Sequence, residues 1–130
     1  MSGVLLDTHA FCWFVFDDPR LSGKGAAVIE DRKIIKYLSV ASLWEIVIKS
    51  QIGKLSLGMD LEFFFNDHVT GRDLELLDIE VRHLLEYDGL ALIHRDPFDR
   101  LLVAQARVTG LPVVTSDPVF ERYEVKVIWD

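Results

Sequence analysis

Short apolar and β-branched runs recur along this chain, and each is followed closely by a stretch with helical spacing. "GVLL" at 3–6 leads into "THAFCWFVF" at 8–16, and "IIKYLSV" at 34–40 into "LWEIVIKS" at 43–50. "LELLDI" at 74–79 precedes "VRHLLEY" at 81–87, and "PVVTS" at 112–116 precedes a helical turn, "PVFERY", at 118–123. This alternation is the signature of an α/β architecture with a parallel sheet. Further helices are expected at 23–32, 60–69 and 97–108, a turn at 17–23, a loop at 51–58, and a closing strand, "VKVIW", at 125–129.

The chain is expected to form one domain over residues 1–130, long enough to bury roughly two-thirds of its unfolded surface. Half of its residues are apolar, which suits a substantial core and argues against wholesale disorder. No apolar run approaches the roughly 18 residues that span a membrane. The stretch 1–16 has no basic leader and is interrupted by Asp7 and His9, so it makes a poor signal peptide. Cys12 is the only cysteine, which excludes an intramolecular disulfide and suits a reducing cytoplasm. The net charge of −7 speaks against a general basic surface for nucleic acid. Charge is uneven, however, with seven basic and eight acidic residues in 1–65 against seven and thirteen in 66–130. An acidic protein still acts on nucleic acid where cations stand at the phosphate.

Four acids share one kind of address. Asp7 ends the first strand, Glu45 follows Ser42 near a helix start, Asp99 lies in the first turn after Pro97, and Asp117 ends "PVVTS". Each has a local explanation. Asp7 and Asp117 suit N-caps, and "SLWE" at 42–45 fits a capping box. In "HRDPFDR" (94–100), Asp96 suits an N-cap, Pro97 the first turn, and Asp99 the third position, where a carboxylate favours the helix dipole. Jointly they say more. Helices of a parallel α/β sheet begin beyond the carboxyl ends of its strands, where ligands bind. Acids 38, 54 and 18 residues apart in sequence thus converge on one edge.

Convergence is costly. Two unit charges about 4 Å apart repel by about 1 kcal/mol in water and about 4 kcal/mol at an effective dielectric of 20. Protonation or a bound cation relieves this. No histidine or cysteine stands at these four positions to make a zinc site, and all-oxygen ligands favour Mg²⁺ or Mn²⁺. A hard cation on a few carboxylates is the usual apparatus of phosphodiester hydrolysis.

Together, "LLDTHAFCW" (5–13), "ASLWEIVIK" (41–49), "HRDPFDRLLVAQA" (94–106) and "VVTSDPVFERYEVKVIW" (113–129) resemble a PIN-domain protein of the VapC type, the ribonuclease toxins of toxin–antitoxin modules. The resemblance runs from residue 4 to 129 in the family's order. It implies a three-layer α/β/α sandwich around a parallel five-stranded sheet, with an acidic Mg²⁺ or Mn²⁺ pocket formed by Asp7, Glu45, Asp99 and Asp117. Thr8 and Thr115 match hydroxyl residues beside that pocket. Only Asp99 immediately precedes the "LLVAQA" segment as the family's third acid does, so Asp96 is assigned to capping, with a supporting role behind the ligands left open. The resemblance also implies an RNA substrate cut by a metal-activated water, a homodimer, and a VapB-type antitoxin forming a hetero-oligomer with the toxin.

Lys49 lies four residues after Glu45, where an exposed ion pair competes with a grip on the RNA phosphate. Lys54, Arg95 and Arg100 are further phosphate candidates. Arg32, Lys33 and Lys36 fall at the wrong end of a strand and are expected in solvent. His9, His68 and His83 lack metal spacing, and His94 is either part of the motif or structural. "FCWFVF" and the "FFF" at 63–65 read mainly as core, and Cys12 as packing. The chief rival is a non-catalytic PIN-like protein-binding module, which a missing metal ligand would favour. A receiver domain needs paired acids after its first strand, and a two-aspartate phosphatase needs a second acid two residues on. Here Asp7 is followed by Thr8 and His9.

Overall fold

The computed structural model describes residues 3–70 and 72–130. Met1 and Ser2, which open the stretch considered above as a leader, lie outside them. Among the described residues, five strands form one sheet in the order β3-β2-β1-β4-β5, with every pairing parallel. Here β1 is Gly3–Leu6, β2 Ile35–Ser39, β3 Glu75–Leu77, β4 Val113–Val114 and β5 Val127–Ile128. Each strand lies where the sequence predicts one. All but the first are shorter than expected.

Side chains alternate across the pleat, so the sheet sends successive residues into two cores. Val4, Leu6, Leu38 and Val114 meet residues of α1 (Thr8–Val15), α2 (Gly23–Glu30), α3 (Val40–Gln51) and α4 (Leu61–Phe65). On the other face, Leu5 and Val113 meet Leu102, Val103 and Ala106 of α6 (Pro97–Thr109), with Phe120 and Tyr123 of a 3-10 turn at Pro118–Tyr123. α5 (Val81–Asp88) packs along α6. The result is the expected three-layer α/β/α sandwich. Gly110 ends α6 in the left-handed conformation, φ 75°, which a glycine adopts without strain.

Several local expectations change. α3 begins at Val40 because Ser39, at the end of β2, caps it by accepting from the Ala41 N–H. The expected capping box at Ser42 is therefore absent, and Glu45 lies in the second turn. The helix expected at 60–69 is α4 followed by a π-helical turn, Asn66–Thr70. Lys36 is buried rather than solvated, since its ammonium reaches back to donate to the Asp31 carbonyl at 2.8 Å. Arg32 and Lys33 are exposed as expected. His83 is buried, its Nδ1 accepting the Glu80 N–H at the start of α5. Of the three consecutive phenylalanines, Phe64 alone is fully buried, while Phe63 is exposed.

Phe64 packs edge-on against Phe11, tying α4 to α1. Phe64→Ala should therefore lower stability by about 3–5 kcal/mol, read as a reduced urea midpoint with an unchanged denaturant slope.

Candidate metal centre

The order of the sheet reverses at β1, since the chain builds outward through β2 and β3 and then returns to the other side for β4 and β5. Open α/β sheets hold ligands in the crevice beyond the strand ends at such a reversal. Asp7 stands there, its N–H donating to the Val114 carbonyl at 3.1 Å and so extending the β1–β4 ladder by one rung.

Asp7 is buried and divides its oxygens. Oδ1 accepts from the Ala10 N–H at 2.7 Å, capping α1, and Oδ2 accepts from the Thr115 hydroxyl at 2.5 Å. Burial pushes its pKa up, against those two hydrogen bonds. Thr115 also accepts the Asp117 N–H at 3.0 Å, and Asp117 Oδ1 accepts from Val119 N–H at 2.9 Å. Thr115 thus joins the strand-end acids of β1 and β4.

Glu45 points inward from α3 and is 3% exposed. Its Oε2 meets the Lys49 ammonium at 2.7 Å, whereas its Oε1 is buried with no hydrogen-bond partner among the described residues. The expected i,i+4 pair is present, but on a buried carboxylate. Burial alone would lower the Lys49 pKa; the hydrogen bond to Glu45 and the charges of Glu45, Asp96 and Asp99 raise it.

Asp99 sits in the first turn of α6, its pKa pushed up to about 7, first by burial and then by the charge of Asp96. Glu45 and Asp7 push the same way, and His94 opposes them. Asp96 is the N-cap of α6, one oxygen accepting from both Phe98 and Asp99 N–H groups, as the sequence predicts.

His94, which the sequence left open as part of the motif or structural, joins the cluster. His94 Nε2 lies 2.8 Å from Asp117 Oδ2 and 3.2 Å from Asp99 Oδ2, so a histidine does stand among the acids. The donor atoms of these three residues lie within 4.8 Å of one another, as metal ligands do. Hydrogen bonding assigns the imidazole a different part. Nδ1 accepts the Asp96 N–H at 3.1 Å, which leaves the ring proton on Nε2, directed at the carboxylates. His94 is thus a donor that draws Asp99 and Asp117 together, and the oxygens left for a cation belong to carboxylates. Its signal in the sequence was its place two residues before Asp96 in "HRDPFDR".

Arg100 corrects the sequence reading. It is buried, and its guanidinium donates to the carbonyls of Ala91 and His94 at 3.1 and 3.3 Å while lying 4.9 Å over the Tyr87 ring. Those bonds occupy it inside the fold, where it shapes the loop carrying His94 and does not reach a phosphate. The Tyr123 hydroxyl completes that loop, accepting from the N–H groups of Ile93 and His94. Arg95 and Lys54 are exposed. Thr8 is buried and donates to the Ser42 hydroxyl at 2.8 Å, linking α1 to α3 beside the pocket. Cys12 is buried as expected, and burial pushes its thiol pKa up to about 12.

A doubly wound parallel sheet with carboxylates gathered at its switch point defines an α/β protein with a candidate cation pocket. The PIN-domain family model matches residues 4–126, and the chain belongs to that family. Comparison with curated proteins found no match to the chain. Among solved structures it is similar to VapBC2 from Rickettsia felis bound to a DNA fragment from its promoter, at 17% identity and TM-score 0.70, covering 98% of this chain and 99% of that one. It is also similar to DNA-bound VapBC from Salmonella typhimurium, at 21% identity and TM-score 0.70, covering 98% and 97%. A third similar structure is FitAcB from Neisseria gonorrhoeae, at 17% identity and TM-score 0.61, covering 96% of each chain.

The raised pKa of Asp99 has a consequence for stability. In the unfolded chain its pKa is near 3.8, and in the fold about 7, so between these values the folded state holds a proton that the unfolded chain has released. The stability this confers is complete below about pH 4 and is lost as the pH rises toward 7. In EDTA, Asp99→Asn should therefore melt on the order of 5 °C above the parent at pH 8 and close to it at pH 4, by scanning fluorimetry.

Proposed function

We propose that this chain is a Mg²⁺- or Mn²⁺-dependent endoribonuclease, the VapC-type toxin of a toxin–antitoxin pair, with residues 1–130 forming one PIN-like domain. The observation that carries this reading is the continuous chain of contacts Asp7–Thr115–Asp117–His94–Asp99, with Glu45 pointing at the same place from α3. The buried, unpartnered Glu45 Oε1 favours a cation there, because an orphaned carboxylate oxygen costs free energy that a ligated ion recovers. Carboxylate oxygens select a hard ion.

Asp7, Glu45, Asp99 and Asp117 would hold the ion. When bound, it supplies hydroxide at neutral pH and stabilises charge on the leaving oxygen. The chain supplies the rest. Thr115 and the Ala10 amide fix Asp7, His94 holds Asp99 beside Asp117, and Asp96 anchors the first turn of α6. Lys49, Arg95 and Lys54 remain for the RNA phosphates, and Lys49 is the one that faces the acids.

The neighbouring structures are VapBC and FitAB-type complexes, which support an antitoxin partner for this chain. An antitoxin supplying a cation to the acids would answer the same repulsion as a metal. The homodimer belongs to this reading too. α5 leaves Val81, Leu84 and Leu85 51–72% exposed, with Leu92 just beyond at 87%, an apolar face for a second copy to cover. Among the described residues no helix is long and apolar enough to cross a membrane. A cytoplasmic location completes the proposal.

The decisive experiment is cleavage of a labelled, structured RNA pool by the purified chain in Mn²⁺, with EDTA and Asp7→Ala as controls. Cleavage lost in both controls is the expected result; cleavage that survives EDTA would sink the proposal. Asp99→Asn should abolish cutting while the fold persists. Asp96→Asn should keep most of the activity, because asparagine still caps a helix. Equal losses would erase the division between them. Mn²⁺ at a hundredfold excess over its dissociation constant should stabilise the fold by about 2.7 kcal/mol. An unchanged melting temperature up to tens of millimolar would count against the pocket.

A further inference from the structure

Trp44 stands one residue before Glu45 and is 58% exposed, whereas Trp13 and Trp129 are half-buried against each other. Its ring meets Phe98, one residue before Asp99, edge to face with centroids 5.2 Å apart. The two helices that carry Glu45 and Asp99 thus meet through these two rings, each one residue away in sequence from an acid of the pocket. An indole left this exposed contributes little to the core, and the edge-to-face contact braces it while most of its surface stays in water. Cations belong to the same elements: Lys49, on the same helix, pairs with Glu45, and Arg95 is exposed just before Asp96. An aromatic plane beside cations is what an unpaired nucleotide recognises, base on ring and phosphate on ammonium or guanidinium.

We propose that Trp44, braced by Phe98, stacks an unpaired nucleobase of the RNA adjacent to the phosphate presented to the acids. This rests on the ribonuclease reading and adds to it a residue that grips the substrate beside the cut. Stacking accepts any base, so Trp44 selects for unpaired strand rather than for sequence. A duplex keeps its bases stacked on one another and offers none to the indole.

The test uses the Asp99→Asn chain, which retains the aromatic pair and is expected not to cut. A short unstructured oligoribonucleotide and an abasic strand of equal length are titrated while tryptophan emission and affinity are read. The oligoribonucleotide should quench emission. Adding Trp44→Ala should weaken its binding by about 5- to 150-fold, the equivalent of about 1–3 kcal/mol for one stacked base, and leave the abasic strand's affinity unchanged. Trp44→Tyr, which keeps a ring, should restore most of the affinity; circular dichroism verifies that both variants are folded. Equal binding of the two strands by the Asp99→Asn chain would overturn the stacking site and leave the ribonuclease reading standing. Binding of neither strand would overturn both. If Trp44→Ala instead dissociates a dimer in sedimentation while RNA affinity holds, the ring belongs to a protein contact and the proposal fails.

Discussion

Burying a carboxylate is unfavourable unless hydrogen bonds or cations offset the lost hydration, and this chain does so at Asp7 and Glu45, with Asp99 and Asp117 partly covered beside them. Much of what surrounds the sheet edge follows from that demand. Helices begin there, and their free N–H groups and positive dipole ends lie where negative charge needs them. Asp7 takes one free amide of α1, Asp96 two of α6, and Asp117 one of the 3-10 turn. The sheet order contributes equally. Only at the switch beside β1 do the ends of β1, β2 and β4 lie together.

Helix ends do not complete the compensation. The pKa of Asp99 rises to about 7, so its ionised form is only partly tolerated near neutrality. Glu45 keeps one oxygen on Lys49 and one with no partner among the described residues. The electrostatics therefore favour either a proton or a cation in the pocket. The polar framework behind it is closed by comparison. Tyr123 and Arg100 satisfy the backbone of the loop at 91–94, and that loop delivers His94 between Asp99 and Asp117. A fully bonded support beneath incompletely bonded acids is what a preorganised ion site requires.

The fold was legible because its signals are local and repeated. β1 lies at Gly3–Leu6 as read, and α6 begins at Pro97 because the cap, the proline and the acid at the third position agree. Asp7 and Asp117 were legible as caps for the same reason. What escaped depended on contacts distant in sequence or on competition between equal signals. Ser39 and Ser42 both offered a hydroxyl cap, and the end of β2 selected Ser39, which moved Glu45 out of the supposed capping box. Lys36 looked solvated until β2 and the turn at Asp31 closed over it. Arg100 resembled a phosphate ligand because the sequence does not show that α6 turns it toward Tyr87 and Tyr123. The role of His94 stayed open in the sequence because its partner Asp117 is 23 residues away.

The sequence posed capping and chemistry as rival explanations of each acid, but one carboxylate has room for both. A carboxylate has two oxygens. In Asp7, Oδ1 caps α1 and Oδ2 turns to Thr115; in Asp117, Oδ1 caps the 3-10 turn and Oδ2 turns to His94. The cap fixes the plane of the group, and the plane aims the second oxygen. A carboxylate held this way surrenders its rotamer entropy to the helix when the protein folds, so that little remains to be lost when a cation or phosphate arrives. Glu45 shows the alternative. It lies in the second turn of α3, beyond the reach of free amides, and needs Lys49 to hold the oxygen that a helix end holds for Asp7 and Asp117. Helix capping at this edge is therefore part of how Asp7 and Asp117 are held, and Glu45, which caps no helix, is held by a cation instead.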